Sequence, residues 1–276
     1  MDAGDFLIGR MSEMSDWFYH TLLQAGYKGL FTHWDMIMRN LEIPVRAKMP
    51  VIAQHTYFSH PNKLSAANIV KKSRANVLVD NHNGEYSITH LSSLDSSYFR
   101  AAAVARFLDR PYMITEYSHS SFNRFRHERG LYFGSYAALQ GWSVLTAHGG
   151  AVKLKPQPFL TFESGIDPVS IASESVTMFA FLRQDVMEAP HSVGLKLDRK
   201  KIFPKHFIES IGDDYAKLAM LTKIGLLYPE GQSLIPVGKV KPDLTLTPEI
   251  FSHLKVTQWY ASADNRDSGQ TGKLVE

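Results

Sequence analysis

The sequence predicts an α/β protein. Four strand–helix units in roughly the first 150 residues make half of a (β/α)8 TIM barrel or a small open sheet, and an α/β or β-rich extension follows. Three observations predict it. Short apolar runs of strand length alternate with stretches of helical period. Long connections join the runs, which implies parallel pairing, because parallel neighbours need a crossover. After Gly150 the pattern breaks: Lys155-Pro156-Gln157-Pro158 reads as a linker, and Pro236, Pro242 and Pro248 punctuate short segments.

Taken in order, Ser12 to Ala25 is expected to be helical. Met14, Trp17, Phe18, Leu22 and Leu23 recur at helical spacing, and Gly26 follows as a stop. Leu30 to Thr32 is expected as a short buried strand opening into His33-Trp34-Asp35. Met49 to Ala53 is the second strand, running into Gln54-His55-Thr56-Tyr57. The polar stretch Pro61 to Asp95 reads as a long loop with a short helix near Ser65 to Lys72. Ser96 to Leu108 is an alanine-rich helix. Pro111 to Thr115 is the third strand, with Glu116 at its carboxyl end. His127 to Gln140 is a helix stopped by Gly141, and Trp142 to Thr146 is the fourth strand, ending at His148.

Asp167-Pro168 pairs a cap with a first-turn proline, starting a helix that runs to about Gln184. Asp213 to Ile224 is expected as another helix, with Tyr215, Leu218, Leu221 and Ile224 on one side. Leu244 to Leu246 is expected as a strand. The divisions expected are 1–152 for the half barrel, 153–230 for a helical extension, and 231–276 for the start of a β-rich segment.

Composition narrows the function classes. In 276 residues, 44% are hydrophobic and 21% charged, the balance of a chain that buries a core. Net charge is +3 and the basic residues are scattered, with only Lys196 to Lys205 locally basic. A nucleic-acid partner is therefore not expected. There is no cysteine, so thiolate catalysis and Cys-ligated metals are excluded. No apolar run reaches the length of a membrane span, and MDAGDFLIGRM reads as neither a secretory signal nor a transit peptide. The compartment stays open.

Glu116, in MITEYSHSSFNRFRHE, is the strongest candidate for chemistry. A carboxylate at the end of an apolar strand faces the crevice where parallel α/β proteins bind ligands. The competing expectation is that Glu116 caps a helix or pairs with Arg124 or Arg126. The other strand ends are similarly furnished, with His33, Trp34 and Asp35, then Gln54, His55 and Tyr57, then His148. One polar ligand could be met by all of them, with Trp34 or Tyr57 stacking on an apolar sugar face. A metal site would draw on His55, His60, His82, His90 and Asp80. No His-x-His and no His-Glu-x-x-His is present, so no metal is expected. Neither a Gly-x-Ser-x-Gly elbow nor a phosphate-cradling glycine loop appears, and no organic cofactor is expected.

The run Arg110-Pro111-Tyr112-Met113-Ile114-Thr115-Glu116-Tyr117-Ser118-His119 is followed by Asn123-Arg124-Phe125-Arg126-His127-Glu128 and by Tyr136-Ala137-Ala138-Leu139-Gln140-Gly141-Trp142. Together these resemble a group of bacterial TIM-barrel glycoside hydrolases, from the clan that places two catalytic carboxylates after barrel strands four and seven. His55-Thr56-Tyr57-Phe58-Ser59-His60-Pro61 looks like the sixth-strand end of that group. The resemblance covers roughly residues 5 to 190 and implies that the chain is the carboxyl-terminal half of the barrel, strands five to eight. It implies Glu116 as nucleophile and Trp34, His55, Tyr57, His119, Asn123 and His148 as substrate-binding residues, acting on a carbohydrate without metal or organic cofactor.

The sequence also departs from that group. Its acid/base glutamate follows strand four, which the resemblance places upstream of this chain. Asn40-Leu41-Glu42 follows strand five and does not take that role. A retaining glycosidase needs both carboxyls, about 5–5.5 Å apart. The chain is therefore expected to be a fragment that pairs with an upstream half-barrel segment. The alternatives are a catalytically inactive carbohydrate-binding or assembly remnant, and a histidine-site metal hydrolase.

Overall fold

The computed structural model describes residues 3–35, 42–58, 97–119, 126–149, 155, 164–197, 215–216 and 218–247. The expected loop and helix within Pro61 to Asp95 lie outside them, as do His60, Asp80, His82, His90, Asn123 and Arg124. The fold is mixed α/β with two parallel sheets. Among the described residues no helix is long and apolar enough to cross a membrane.

The first helix, α1 (Ala3–Gln24), begins earlier than the apolar spacing indicates and ends at Gly26, whose φ is +81°. Ile8 and Ser15 are buried on its inner side, and Phe18 and Tyr19 pack around Phe31. The expected strand Leu30 to Thr32 is absent. Phe31 is stacked on Tyr19 at 5.3 Å, and the Leu30 carbonyl accepts a hydrogen bond from the Tyr27 hydroxyl at 2.7 Å. Phe31, held on the preceding helix, and Leu30, held by the turn after it, run past the sheet without a ladder.

After a one-turn helix, α2 (Ile43–Arg46), comes β1 (Ile52–Phe58), about three residues later than expected. Helix α3 (Ser97–Val104) leads to β2 (Tyr112–His119), which continues past the expected end at Thr115. A π-helical turn (Gly130–Gly134) runs directly into α4 (Ser135–Leu139), and Gly141, at φ +61°, ends the helix before β3 (Val144–Ala147). These strands form one parallel sheet in the order β1-β2-β3.

Helices cover one face of that sheet through an aromatic cluster. Phe99 of α3 stacks on Trp142 at 4.8 Å, Tyr112 meets Trp142 edge-on at 5.0 Å, and Tyr117 stacks on Phe133 at 4.5 Å. Each such pair contributes about 0.5–1.5 kcal/mol beyond its area burial. This core fixes which sheet face is the rear, leaving the other for a site.

Helix α5 (Pro168–Thr177) starts where expected. Asp167 caps it by accepting from the Val169 and Ser170 amides, and a π-helical turn (Met178–Leu182) continues it. Gly130 and Gly134 let the preceding helix lie directly on α5. A Cβ on Gly130 would sit 1.6 Å from the Ser173 carbonyl oxygen, and one on Gly134 2.8 Å from the Thr177 Cα.

In and beyond the stretch expected as a helical extension, helix α5 is followed by a second sheet. It contains β4 (Ser192–Lys196), β5 (Lys223–Leu227) and β6 (Leu244–Leu246), all parallel, in the order β5-β4-β6. The expected helix Asp213 to Ile224 is helical at Tyr215 and Ala216, becomes a 3-10 turn (Leu218–Met220) and gives way to β5 at Lys223. Short apolar runs fit either period, and pairing with β4 decides this one. Residues 106–108 join the two sheets: the Leu226 amide donates to the Arg106 carbonyl at 2.7 Å, and the Leu108 amide to the Leu226 carbonyl at 3.1 Å. Gln140 clamps the same joint. Its side-chain amide donates to the carbonyls of Ala219 and Thr222 and accepts from the Ile224 amide.

Candidate active site

A β-bulge in β2 builds the site. Gln54 is paired with Ile114 and His55 with Glu116, so Thr115 is an extra residue in the ladder. On the other flank Leu145 pairs with Ile114 and Ala147 with Tyr117. Before the bulge the buried residues are Tyr112 and Ile114; after it Tyr117, Ser118 and His119 are all buried, and Tyr117 stacks on Phe133 of the rear cluster. An unbroken strand alternates strictly, which would send Glu116 to the rear core and Tyr117 to the front. The extra residue reverses that parity and turns Glu116 out of the core.

Three strands then contribute to one front surface. The Tyr57 hydroxyl donates to Glu116 Oε2, and His148 Nδ1 lies 3.4 Å from the same oxygen. The Tyr57 and His148 rings meet edge-on at 5.7 Å. Beside them, Thr115 donates its hydroxyl to Asp35, and His55 Nδ1 is 3.7 Å from Asp35 Oδ1. The His55 and Tyr57 rings are 6.1 Å apart. Glu116 keeps 38% of its side chain exposed, so it is positioned yet reachable.

Burial, together with the bonded Glu116 carboxylate, pushes the Tyr57 hydroxyl up from its ordinary range. It therefore stays protonated, a permanent donor to the carboxylate. His33 is driven the other way: burial lowers it, outweighing its backbone hydrogen bond, and its Nε2 lies 2.9 Å from the Ser15 hydroxyl. A carboxylate held by a phenol donor and an imidazole, on an open face, can act as a nucleophile or a base.

The structure brings together Glu116, Tyr57 and His148, with His55 adjoining through Tyr57 and Asp35. Glu116 neither caps a helix nor pairs with Arg126. That guanidinium grips Asp167 instead, with Nε to Oδ2 at 2.6 Å. Trp34 is half-buried beside His33, 5.3 Å between rings, and packs against the core. His119 is 1% exposed, so it offers no open surface to a ligand. Asn123 lies outside the described residues.

Two participants were not singled out from the sequence. In the sequence Asp35 stands only within the polar strand end His33-Trp34-Asp35, and Thr115 within the strand Pro111 to Thr115. The sole available signal was the polar pair Thr115-Glu116 interrupting an apolar run, which breaks strict alternation. Comparison of the chain with family models, with curated proteins and with solved structures returned no match.

Proposed function

We propose that this chain carries the nucleophile side of a retaining glycoside hydrolase that cleaves O-glycosidic bonds in an oligo- or polysaccharide. The observation that carries this reading is the Tyr57–Glu116–His148 arrangement on the front face of a parallel sheet. Glu116 attacks the anomeric carbon and forms a glycosyl ester as the glycosidic C–O bond breaks and the leaving oxygen takes a proton from the acid/base carboxyl. Water, deprotonated by that same group, then hydrolyses the ester. Tyr57 holds the carboxylate in line, and His148 and His55 face the sugar hydroxyls. The acid/base carboxyl comes from outside the described surface. The outer edges of β1 and β3 are unpaired among the described residues, and Val144 of β3 is 41% exposed. Both features support a sheet completed by the upstream strands of the same barrel.

The test uses 2-deoxy-2-fluoro glycosides with a dinitrophenolate leaving group. That group departs without a proton, so the label reports on the nucleophile whether or not an acid is present. Intact-protein mass spectrometry is expected to show one added sugar, mapping to the peptide that contains Glu116 and absent from Glu116→Gln. No adduct across gluco-, galacto-, manno- and xylo-configured labels overturns the assignment.

A second reading is a binding remnant without turnover. It is favoured by the state of Asp35, the other carboxylate at this surface, which is engaged by Thr115 and His55. Glu116-dependent hydrolysis of an aryl glycoside by the chain rules the remnant out.

A further inference from the structure

A second cleft, of about 810 Å³, opens at the other end of β2, where Asp109 and Arg110 precede the strand. Six residues of extended chain, about 20 Å, separate Arg110 from Glu116, so this cleft is distinct from the site above. It lies beyond the carboxyl ends of the second sheet, where Lys196 is the last residue of β4 and Leu227 the last of β5. Crevices at that end of parallel strands are where open α/β sheets bind ligands, and the volume is that of a small-molecule site.

The charges at the cleft are not balanced. Arg110 Nη1 is neutralised by Asp109 at 2.6 Å. Lys196 and Lys239, which also line the cleft, are exposed and have no hydrogen-bond or ion-pair partner among the described residues. Lys48 and Lys223 are matched, to Asp16 at 2.5 Å and to Glu188 at 2.7 Å, while Lys28, Lys155 and Lys241 stand unmatched among the described residues and do not line this cleft. The cleft therefore presents two unmatched ammonium groups and a single, already engaged, carboxylate.

The wall is built and pinned. Most of it is the connection between β5 and β6, which is anchored where the Leu234 amide donates to the Lys48 carbonyl at 2.8 Å. Gly231 lets that connection cross the body, since a Cβ there would lie 2.5 Å from the Ala47 Cβ. Behind the wall the Ser233 hydroxyl is buried without a hydrogen-bond partner. At the mouth, Gly238 faces open space, with nothing within 4 Å of an added Cβ.

We propose that this cleft binds a small anionic molecule, its phosphate or carboxylate held by Lys196 and Lys239. Opposite charge and a concave, partly apolar wall supply the affinity, and the exposed lysines make it salt-dependent. The proposal stands apart from the glycosidase reading.

Isothermal titration of the purified chain with inorganic phosphate, citrate, glucuronate and neutral glucose tests it. One saturable site is expected for phosphate or for the carboxylates and none for glucose, and whichever anion binds names the source. The double variant Lys196→Gln/Lys239→Gln is expected to weaken binding at least about tenfold. Gly238→Glu, which adds a carboxylate at the unobstructed mouth, should do the same in a folded protein, whereas Glu116→Gln should leave binding intact. Absence of saturable binding by every anion, or affinity unchanged in both cleft variants, overturns the proposal.

Discussion

Tyr57 and Glu116 sit on neighbouring parallel strands, 59 residues apart in sequence, and the phenol hydroxyl of one donates to the carboxylate of the other. The bond exists because Thr115 is bulged. With a regular ladder the carboxylate would lie against the aromatic core and Tyr57 would have no partner there.

This bond predicts how Tyr57→Phe behaves. The phenyl ring keeps its packing, but the carboxylate is free to swing toward water or His148. Misplacement of a reacting group by about 1 Å costs roughly a hundredfold in rate. Labelling of Glu116 by the fluoroglycosides is thus expected to slow about a hundredfold, with the melting temperature little changed. The wild-type phenol, pushed up by burial and by the carboxylate, remains a donor above pH 10, so its labelling rate should show no loss on the alkaline side from tyrosine ionisation. Equal labelling rates in the two proteins would show that the phenol does not position the nucleophile.

Much of this could be read from the residues alone, and the failures have identifiable physical causes. Asp167-Pro168 announced its helix because capping and the first-turn proline are local chemistry. The strand around Glu116 was readable because its apolar run is long enough. The bulge is not, since no glycine marks it, and it alone decides that Glu116 turns forward while Tyr117 packs into the core. Strand β1 starts late because Pro50 has no amide hydrogen to give a ladder. In the second sheet β6 is legible at Leu244 to Leu246, but β5 follows directly on residues of helical spacing, and only pairing with Ser192–Lys196 selects its extended form.

Gln140 looked like part of a family-like motif, and the structure gives it a mechanical task. Its side chain is fully buried and makes bonds to Ala219, Thr222 and Ile224 across the joint between the sheets. Gln140→Leu keeps the volume but strands two carbonyls and one amide. At about 1–3 kcal/mol for each of the groups left unsatisfied, a loss of about 3 kcal/mol or more is expected. Urea unfolding should show a lower midpoint at an unchanged slope. A loss below about 1 kcal/mol would mean that water replaces the side chain.

The glycines of two helices should respond in opposite directions. Gly130→Ala forces a methyl to within 1.6 Å of the Ser173 carbonyl oxygen, a backbone atom that cannot step aside without parting the helices. Destabilisation of about 3 kcal/mol or more is expected. Gly9→Ala, in α1 with nothing within 4 Å of the added carbon, should stabilise by about 0.5–1 kcal/mol. Thermal melts of the two single variants measure both, and the same sign for each would contradict the packing described.

Asp167 links stability to acid. It is 2% exposed, caps α5 through the Val169 and Ser170 amides, accepts the Ser170 hydroxyl at 2.6 Å, and is gripped by Arg126. Burial alone would push its carboxyl up, but the bonds from Arg126 and Ser170 outweigh that and hold it below the ordinary value of 3.8. A carboxyl depressed in the folded state takes up its proton more readily when unfolded, so unfolding binds protons in acid. Its contribution is complete above the ordinary value and drains away as the pH falls through the depressed folded one. Asp167→Ala is expected to cost roughly 2–4 kcal/mol at neutral pH, from the lost cap and the lost charged hydrogen bonds. Asp167→Asn keeps a capping oxygen and should cost less. As the pH falls through the depressed folded value, the wild type should converge on Asp167→Asn, which like the protonated carboxyl keeps a capping oxygen without the charge. Melting curves recorded from pH 7 to pH 2 test this: lines that stay parallel over that range would place the acid sensitivity elsewhere in the molecule.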